Sequence, residues 1–582
     1  MLESTSHPLS HSSPIAPRPA GHALVEALIA QGIATCFGVP GESYLAVLDG
    51  FHEHHERIRF IACRQEGGAA FMAEAQGKLT GRPGICFATR GPGATNASIG
   101  VHTAFQDSTP MILFVGQVAG DQRDREAFQE IDYRQMFGPG TLGLAKWVAE
   151  VHSADRLPEY VARAFHVAMQ GRPGPVVLAL PEDMLTQPTS AAVLPRVEPA
   201  QAWPAPGALR TLRTMLLAAE RPLVIAGGPG WDAEGSAALE RFAESWGLPV
   251  ANAFRFQDTF DNRHPQYAGD VGIGIAPKLA ERVREADLIV ALGPRLGEMT
   301  TSGYTLLEAP RPKQMLVHIH PGAEELGRVY SADLAIQSAM PAAAKALAAL
   351  EPPPGPPKWH AHTAAAQADY RANLIPSAQV EPLDMAEVVK TVQRLAGDDV
   401  VYTNGAGNYS GWLHRFVQYP AARHHGRTQL APTSGAMGYG LPAAVAAALL
   451  YPKRTVVNVA GDGDFLMNGQ ELATATGYGA KKLVCIVVDN GSYGTIRMHQ
   501  EREYPGRTSG SDLFNPDFAA LARAYGWNAE RIERTTEFEP AFAGALECGT
   551  PTLLHLKLDV DTITSRGTLS QIRDAAFKRR AP

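Results

Sequence analysis

Residues 455–493 constrain this chain more than any other stretch. An apolar run, 455–459, leads into Gly461-Asp462-Gly463-Asp464; a helix-like segment, 469–478, follows; a second apolar run, 483–488, ends in Asp489-Asn490-Gly491-Ser492-Tyr493. A strand, a helix and a strand in that order close as a right-handed crossover, so the two strands are parallel. Asp462 and Asn490, 28 positions apart, then share the carboxyl edge of one sheet, where open α/β sheets bind ligands.

The same alternation runs through the whole chain. Strands are expected at 36–39, 58–63, 85–88, 111–115 and 176–180, then at 223–226 and 288–292, then at 400–403, 455–459, 483–488 and 552–556, with helical segments such as 23–31 and 66–79 between them. Pro/Ala-rich stretches at 186–206 and 341–380 read as linkers or surface crossings. The expected architecture is α/β, with three doubly wound parallel-sheet domains at 21–186, 205–345 and 375–570, after a disordered Ser/Pro/His-rich tail at 1–20.

Composition removes several function classes. A net charge of −7 over 582 residues gives no general attraction to nucleic acid or anionic membrane. No apolar run approaches the length of a membrane span. The five cysteines form no CxxC pair or zinc-spaced cluster, which suits a reducing, cytoplasmic setting, and Cys485 inside an apolar strand reads as a buried thiol. No GxGxxG with a following acidic residue succeeds the first strand, which argues against a nicotinamide dehydrogenase.

Three constellations carry chemistry. A carboxylate at 462, an amide oxygen at 490 and a nearby backbone carbonyl are hard oxygen donors that suit Mg²⁺ with positions left for phosphate. Glycines 461 and 463 let backbone approach a diphosphate. In the first block, Arg64-Gln65-Glu66-Gly67-Gly68 places a glutamate at a helix start, a position the helix dipole favours in any protein. In the third, Thr433-Ser434-Gly435-Ala436-Met437-Gly438 is a glycine-punctuated turn in which Met437 also reads as core filler.

Together these motifs resemble the thiamine-diphosphate-dependent enzymes, whose binding motif is a Gly-Asp-Gly followed by an Asn about thirty residues later. The resemblance covers residues 20–570 and is nearest to acetolactate synthase large, catalytic subunits, through 107–110, 116–118, 127–130 and 146–147. It implies that Asp462, Asn490 and the Ser492 carbonyl hold Mg²⁺, and that Gly463, Asp464, Asn408, Tyr409 and Tyr493 line the diphosphate. Glu66 would donate to the aminopyrimidine N1′, so that the cofactor's own amino group can take the C2 proton. The Gly435 carbonyl would accept from that amino group, and Met437 would wedge the two rings into their bent shape. Gln117 joins Glu66, Gly435 and Met437 as a catalytic candidate; His102, Phe105, Lys146, Ile496 and His499 are substrate-pocket candidates. Phe105 reads equally as core, and Lys146 as a solvated charge.

The implied reaction is decarboxylation of a 2-keto acid with carboligation to a second carbonyl. The alternative is a non-oxidative decarboxylase or lyase like benzoylformate decarboxylase, which shares the Asn490–Gly494 run. Against a pyruvate-decarboxylase-like enzyme, the adjacent histidine pairs here are 54–55, ahead of Glu66, and 424–425, in a polar stretch. Asn408-Tyr409 replaces the Gln-His of acetolactate synthases, and His499 replaces a Trp of their acceptor pocket. The resemblance further implies a homodimer or homotetramer with sites shared between subunits. Gly227-Gly228 and Arg295 leave FAD open, and a regulatory subunit is left undetermined. The polar loop 498–512 reads as a lid or an exposed loop, and Lys578-Arg579-Arg580 as a solvated tail.

Overall fold

The alternating apolar runs become three six-stranded sheets, all parallel within themselves. The structure is a computed structural model that describes residues 15–138, 143–376, 381–420 and 426–580. In the first sheet, β1 (Thr35–Gly38), β2 (Arg59–Ala62), β3 (Gly84–Ala88), β4 (Met111–Gln117), β5 (Trp147–Glu150) and β6 (Pro175–Pro181) lie in the order β2-β1-β3-β4-β6-β5. The second holds β7 (Pro222–Ala226), β8 (Val250–Asn252), β9 (Tyr267–Asp270), β10 (Leu288–Leu292), β11 (Met315–His320) and β12 (Leu334–Gln337), ordered β9-β8-β7-β10-β11-β12. The third holds β13 (Val400–Asn404), β14 (Gln429–Leu430), β15 (Thr455–Gly461), β16 (Leu483–Asp489), β17 (Asn528–Ile532) and β18 (Thr552–Lys557), ordered β14-β13-β15-β16-β18-β17. The outer two sheets therefore share one topology. The middle sheet has the strand order of dinucleotide-binding folds.

Strands inside such sheets are covered on both faces, so they read as unbroken apolar runs instead of alternating ones. β3, β4, β6, β7 and β10 are buried at every residue. The edge strand β17 (NAERI) keeps three of its five positions exposed. Cys485 is buried, and its sulfur accepts from Asn458 Nδ2 at 3.1 Å.

Two helices of the first domain and one of the third form the seam that joins them. α1 (Glu66–Thr80) begins under its own cap, where Gln65 Oε1 accepts from Gly68 N at 3.0 Å, and stops at Gly81 with φ +66°. α2 (Gly91–Asp107) crosses it where Gly100 faces Ala70; a Cβ at 100 would overlap Ala70. The small residues along α1 that the sequence suggested (Ala69, Ala70, Ala73) allow this close approach. α3 (His360–Asn373) lies in the middle domain, α4 (Gly440–Leu450) is an alanine-rich helix buried on all sides, and α4 packs on α1. One apolar core runs unbroken from Phe37 and Met72 through α4 to Cys485 and Trp527. A helix apolar all round is placed inside a protein for the same reason that an amphipathic one is placed at its surface.

Four expectations need correction or refinement. The tail at 1–20 ends sooner, since Arg18–Pro19 pairs antiparallel with Pro188–Thr189 and a helix starts at Ala20. The stretch 341–380 contains the helix Met340–Ala348 and α3; Tyr370 of α3 stacks edge-on against Tyr267 at 4.7 Å, so α3 completes the middle core. The basic end is a helix, α6 below, whose Lys578, Arg579 and Arg580 stay exposed. Loop 498–512 begins as helix, α5 (Gly494–Glu503), and α6 (Leu569–Arg580) packs along α5 with Arg580 donating to the Glu503 carbonyl. Residues 1–14, 377–380 and His424-His425 lie outside the described residues. Of the other pair, His54 is half-buried and His55 exposed.

Candidate cofactor site

β15 and β16 pair in parallel, with Gly461 opposite Val488. Their tips therefore arrive side by side: Gly491 N donates to Asp462 Oδ2 at 3.0 Å, and Ser492 Oγ donates to Asn490 Oδ1 at 3.1 Å. Asn515 arrives from a later segment. Its Nδ2 donates to Asp462 Oδ2 at 2.8 Å and to Asp489 Oδ1 at 2.9 Å, and its own Oδ1 is buried without a partner. Nothing in the sequence pattern pointed to Asn515. His555 Nε2 and Lys557 Nζ hold the other oxygen of Asp489, at 2.9 and 3.1 Å.

The electrostatics follow from this geometry. Burial pushes Asp462 up to about 6, with the Asp489 charge adding to the effect and bonds from Gly463 N and Asn515 opposing it. For Asp489 burial also acts upward, but His555, Asn515 and Lys557 hold its carboxyl well below the usual range. Two carboxylates joined through one amide thus share the strand tips. Among the described residues no group of three or more His, Cys, Asp or Glu could hold a metal. An ion here would take one carboxylate plus amide and carbonyl oxygens, a set that fits Mg²⁺ bridging to phosphate oxygens.

The loops around the tips are tied by Asp464, not left open. Its carboxylate accepts from Ala406 N (3.2 Å), Gly438 N (2.8 Å) and Tyr409 Oη (2.8 Å). Burial pushes this carboxyl up to about 6 against those three bonds. Tyr409 also accepts from Gly405 N at 2.9 Å, and its ring covers Gly461. Of the expected diphosphate residues, the Tyr409 hydroxyl and the Asp464 carboxylate are thus engaged with protein. Gly463 is required for packing, since a Cβ there would stand 2.6 Å from the Tyr493 ring. The helix expected at 469–478 is a 3-10 turn (Gly469–Glu471) continued by Leu472–Tyr478. The tips themselves are followed by the single turn Asp462–Phe465, which offers backbone N–H groups but no long dipole.

Glu66 opens α1, buried, and its Oε2 accepts from Asn96 Nδ2 at 2.9 Å. Gly93 at the start of α2 leaves room beside it; a Cβ there would lie 3.2 Å from Glu66 Oε1. Immediately before Glu66, the amides of Arg64 and Gln65 both donate at 3.1 Å to Glu471 Oε1, a buried residue of the third domain. Glu471 thus fixes the entry to α1, and sequence reading missed it.

A cavity of about 880 Å³ opens where the three domains meet. Asn408, Ser434 and Gly435 line it, with Gly435 at φ +68° and its N–H bonded to the Pro432 carbonyl at 3.0 Å. Met437 is half-buried two residues on. Of the five substrate-pocket candidates, His102 lines this cavity. The other four do not line it. On α2, residues 102 and 106 share the cavity face, while Phe105 turns away under the Arg172 guanidinium, 4.7 Å from its ring. On α5, residues 495, 498 and 502 line the cavity, while Ile496 and His499 are exposed and outside its lining; His499 Nδ1 accepts from Arg502. Lys146 is neither pocket nor solvated charge: its ammonium donates to the Val167 and Gln170 carbonyls at 2.5 and 2.7 Å, and burial pushes it down to about 8. Gln117 is fully buried, donating to the Ile131 carbonyl (3.0 Å) and accepting from Val118 N (2.9 Å), so its amide serves its own domain.

Comparison with known proteins agrees with this layout. Three family models match in chain order: the thiamine pyrophosphate enzyme N-terminal TPP binding domain over residues 18–136, the central domain over 209–347 and the C-terminal TPP binding domain over 405–556. The chain is 32% identical over 554 residues to the acetolactate synthase isozyme 2 large subunit of Escherichia coli (strain K12), covering 92% of this chain and 95% of that protein. It is 32% identical to the acetolactate synthase large subunit of Parasynechococcus marenigrum (strain WH8102), covering 92% and 86%. To the probable acetolactate synthase large subunit of Methanocaldococcus jannaschii it is 30% identical, covering 92% and 91%.

Proposed function

The chain belongs to the thiamine pyrophosphate enzyme family, and on that premise we propose an acetolactate-synthase-like carboligase that decarboxylates a 2-keto acid and joins the remainder to a second carbonyl compound. Bound thiamine diphosphate supplies the nucleophilic C2 and the electron sink that this decarboxylation needs. The observation that carries the reading is the meeting of Asp462 with the Asn490–Gly491 turn at neighbouring strand tips. Asp462, Asn490 and the Ser492 carbonyl would hold Mg²⁺, and Asn408, Gly463 and Tyr493 would border the diphosphate. Glu66 would hold a proton at N1′ of the aminopyrimidine, Gly435 would accept from its amino group, and Met437 would support the bend between its rings. The cavity where the three domains meet would shelter the reacting carbon from bulk water and so from premature protonation.

Glu66 would serve the diphosphate site of a second copy of the chain. Exposed Leu466, Met467 and Phe514 beside the strand tips support such a homo-oligomer, because apolar groups clustered at a site's mouth favour burial. The middle sheet's strand order, with Gly228, Arg295 and Gly297 on the cavity wall, supports FAD as a second occupant; flavin absorbance released from the purified protein would test it. Four buried free cysteines support a reducing, cytoplasmic setting, and no helix among the described residues is long and apolar enough to cross a membrane. The deciding experiment supplies pyruvate, thiamine diphosphate and Mg²⁺ and identifies the product by mass. Acetolactate is expected; acetaldehyde alone would transfer the reading to a simple decarboxylase.

A further inference from the structure

The segment 431–434, just ahead of Gly435 and Met437, is gripped at every residue by side chains from outside its own domain. Lys78 Nζ of α1 donates to the Ala431 carbonyl at 3.2 Å. Arg255 of the middle domain donates to the Pro432 carbonyl; it is a buried guanidinium on a residue with φ +62°. Asp107 at the end of α2 accepts from Thr433 N at 2.7 Å and also from the Thr433 hydroxyl. Thr103 and Ser434 hydroxyls meet at 3.2 Å.

This grip has its own buried foundation. Lys78 Nζ bridges Asp107 Oδ2 (2.5 Å) and Glu74 Oε1 (3.2 Å), and Glu74 in turn accepts from Tyr439 Oη (2.5 Å) and Thr109 Oγ1 (2.7 Å). Burial works against the Lys78 ammonium, yet Asp107 and Glu74 together keep its pKa above the usual lysine range. Residues 435–437 are thus bracketed, with anchors at 431–434 on one side and, on the other, Gly438 N on Asp464 and Tyr439 on Glu74. A buried side chain with no remaining freedom holds its partner in one geometry, which is what supporting residues contribute around a reactive centre.

We infer that Asp107, with Lys78 and Arg255 beside it, is a positioning residue: it fixes the 431–434 segment so that Gly435 and Met437 stand correctly against the aminopyrimidine. The inference rests on the reading of Gly435 and Met437 given under Proposed function. None of the three touches the reacting atoms; they act through the segment.

The test uses the full chain with Thr433→Val, which keeps the branched shape but loses the hydroxyl, and Thr433→Ser, which keeps the hydroxyl. In the cofactor-free protein, amide hydrogen exchange of a peptide spanning 431–438 reads the grip. In protein loaded with thiamine diphosphate and Mg²⁺, acid-quenched NMR of C2 proton exchange reads the positioning. Thr433→Val should speed amide exchange about tenfold and slow C2 exchange about tenfold, while Thr433→Ser stays near the parent in both. Asp107→Ala should give larger changes of the same sign; if it fails to fold, the Thr433 pair decides. Parental C2 exchange in Thr433→Val overturns the proposal, whether or not the amides open. Met437→Ala separates the two levels. If it leaves C2 exchange unchanged, the cradle reading fails and the proposal with it; if it slows C2 exchange while Thr433→Val and Asp107→Ala do not, the proposal alone fails.

Discussion

Replacing Asp464 by alanine should loosen two loops at once. The carboxylate is the shared acceptor for Ala406 N, Gly438 N and the Tyr409 hydroxyl, at 3.2, 2.8 and 2.8 Å, in a site that is only 3% exposed. Each buried donor left without an acceptor costs about 1–3 kcal/mol, so three of them amount to roughly 3–6 kcal/mol after partial relaxation. Asparagine keeps the shape. Its Oδ1 can still accept both backbone amides, and its Nδ2 would face the tyrosine oxygen, so only the tyrosine's own proton loses its acceptor, at about 1 kcal/mol. A three-domain chain does not unfold in one step, so a single melting point would mix domains. Amide exchange followed on peptides covering 404–411 and 435–440 reads the loops directly. Asp464→Ala should lose about two to four orders of magnitude of protection there, and Asp464→Asn less than about tenfold. Protection in Asp464→Ala within about twofold of the parent would refute the assignment of this carboxylate as the tie between the loops.

Further outcomes follow from other parts of the structure. Gly100→Ala should destabilise the α1–α2 crossing by about 1–3 kcal/mol, seen as faster exchange of both helices, because the added carbon overlaps Ala70. Burial, with His318 adding, pushes His320 down to about 3 from 6.5. The folded chain therefore holds the ring neutral while an unfolded ring takes up a proton, and stability falls as pH drops from 6.5 toward 3. At pH 5 this penalty is about 2 kcal/mol. His320→Asn, whose side-chain oxygen can still accept from Gly322 N, should shrink the loss of stability between pH 7 and 5 by about that amount, read from amide exchange of a peptide covering 315–322 after correction for the intrinsic pH dependence of exchange. Lys146→Gln should leave kcat/KM within about threefold of the parent, since its ammonium caps interior carbonyls; a loss of about a hundredfold would return it to the pocket.

The strand tips were legible because all their determinants sit within one local unit. Asp462, the following helix and Asn490 are consecutive in the chain, and the crossover rule converts spacing into proximity. The three parallel sheets were legible for a related reason: strands covered on both faces leave apolar runs that punctuation by glycine and proline sets off. Pairings made outside such a unit leave no such trace. Glu471 reaching the amides before α1, Asn515 bridging Asp462 and Asp489, and Asp107 holding Thr433 are each ordinary polar residues in the sequence, given meaning by packing alone. On α2 and α5, likeness to relatives selects positions along the chain, but packing decides which of them line the cavity. α3 was overlooked because a proline-rich run precedes it and its surface is polar, although Tyr370 anchors it to the middle core.

The account stands or falls on whether the neighbouring tips at 462 and 490 grip a metal–diphosphate pair. Calorimetric titration of thiamine diphosphate into the cofactor-free protein, with and without Mg²⁺, measures this directly. The parent should bind about one equivalent per chain and need the metal, and Asp462→Ala should weaken binding about a hundredfold or more and abolish the metal requirement. Parental, Mg²⁺-dependent affinity in Asp462→Ala would contradict it.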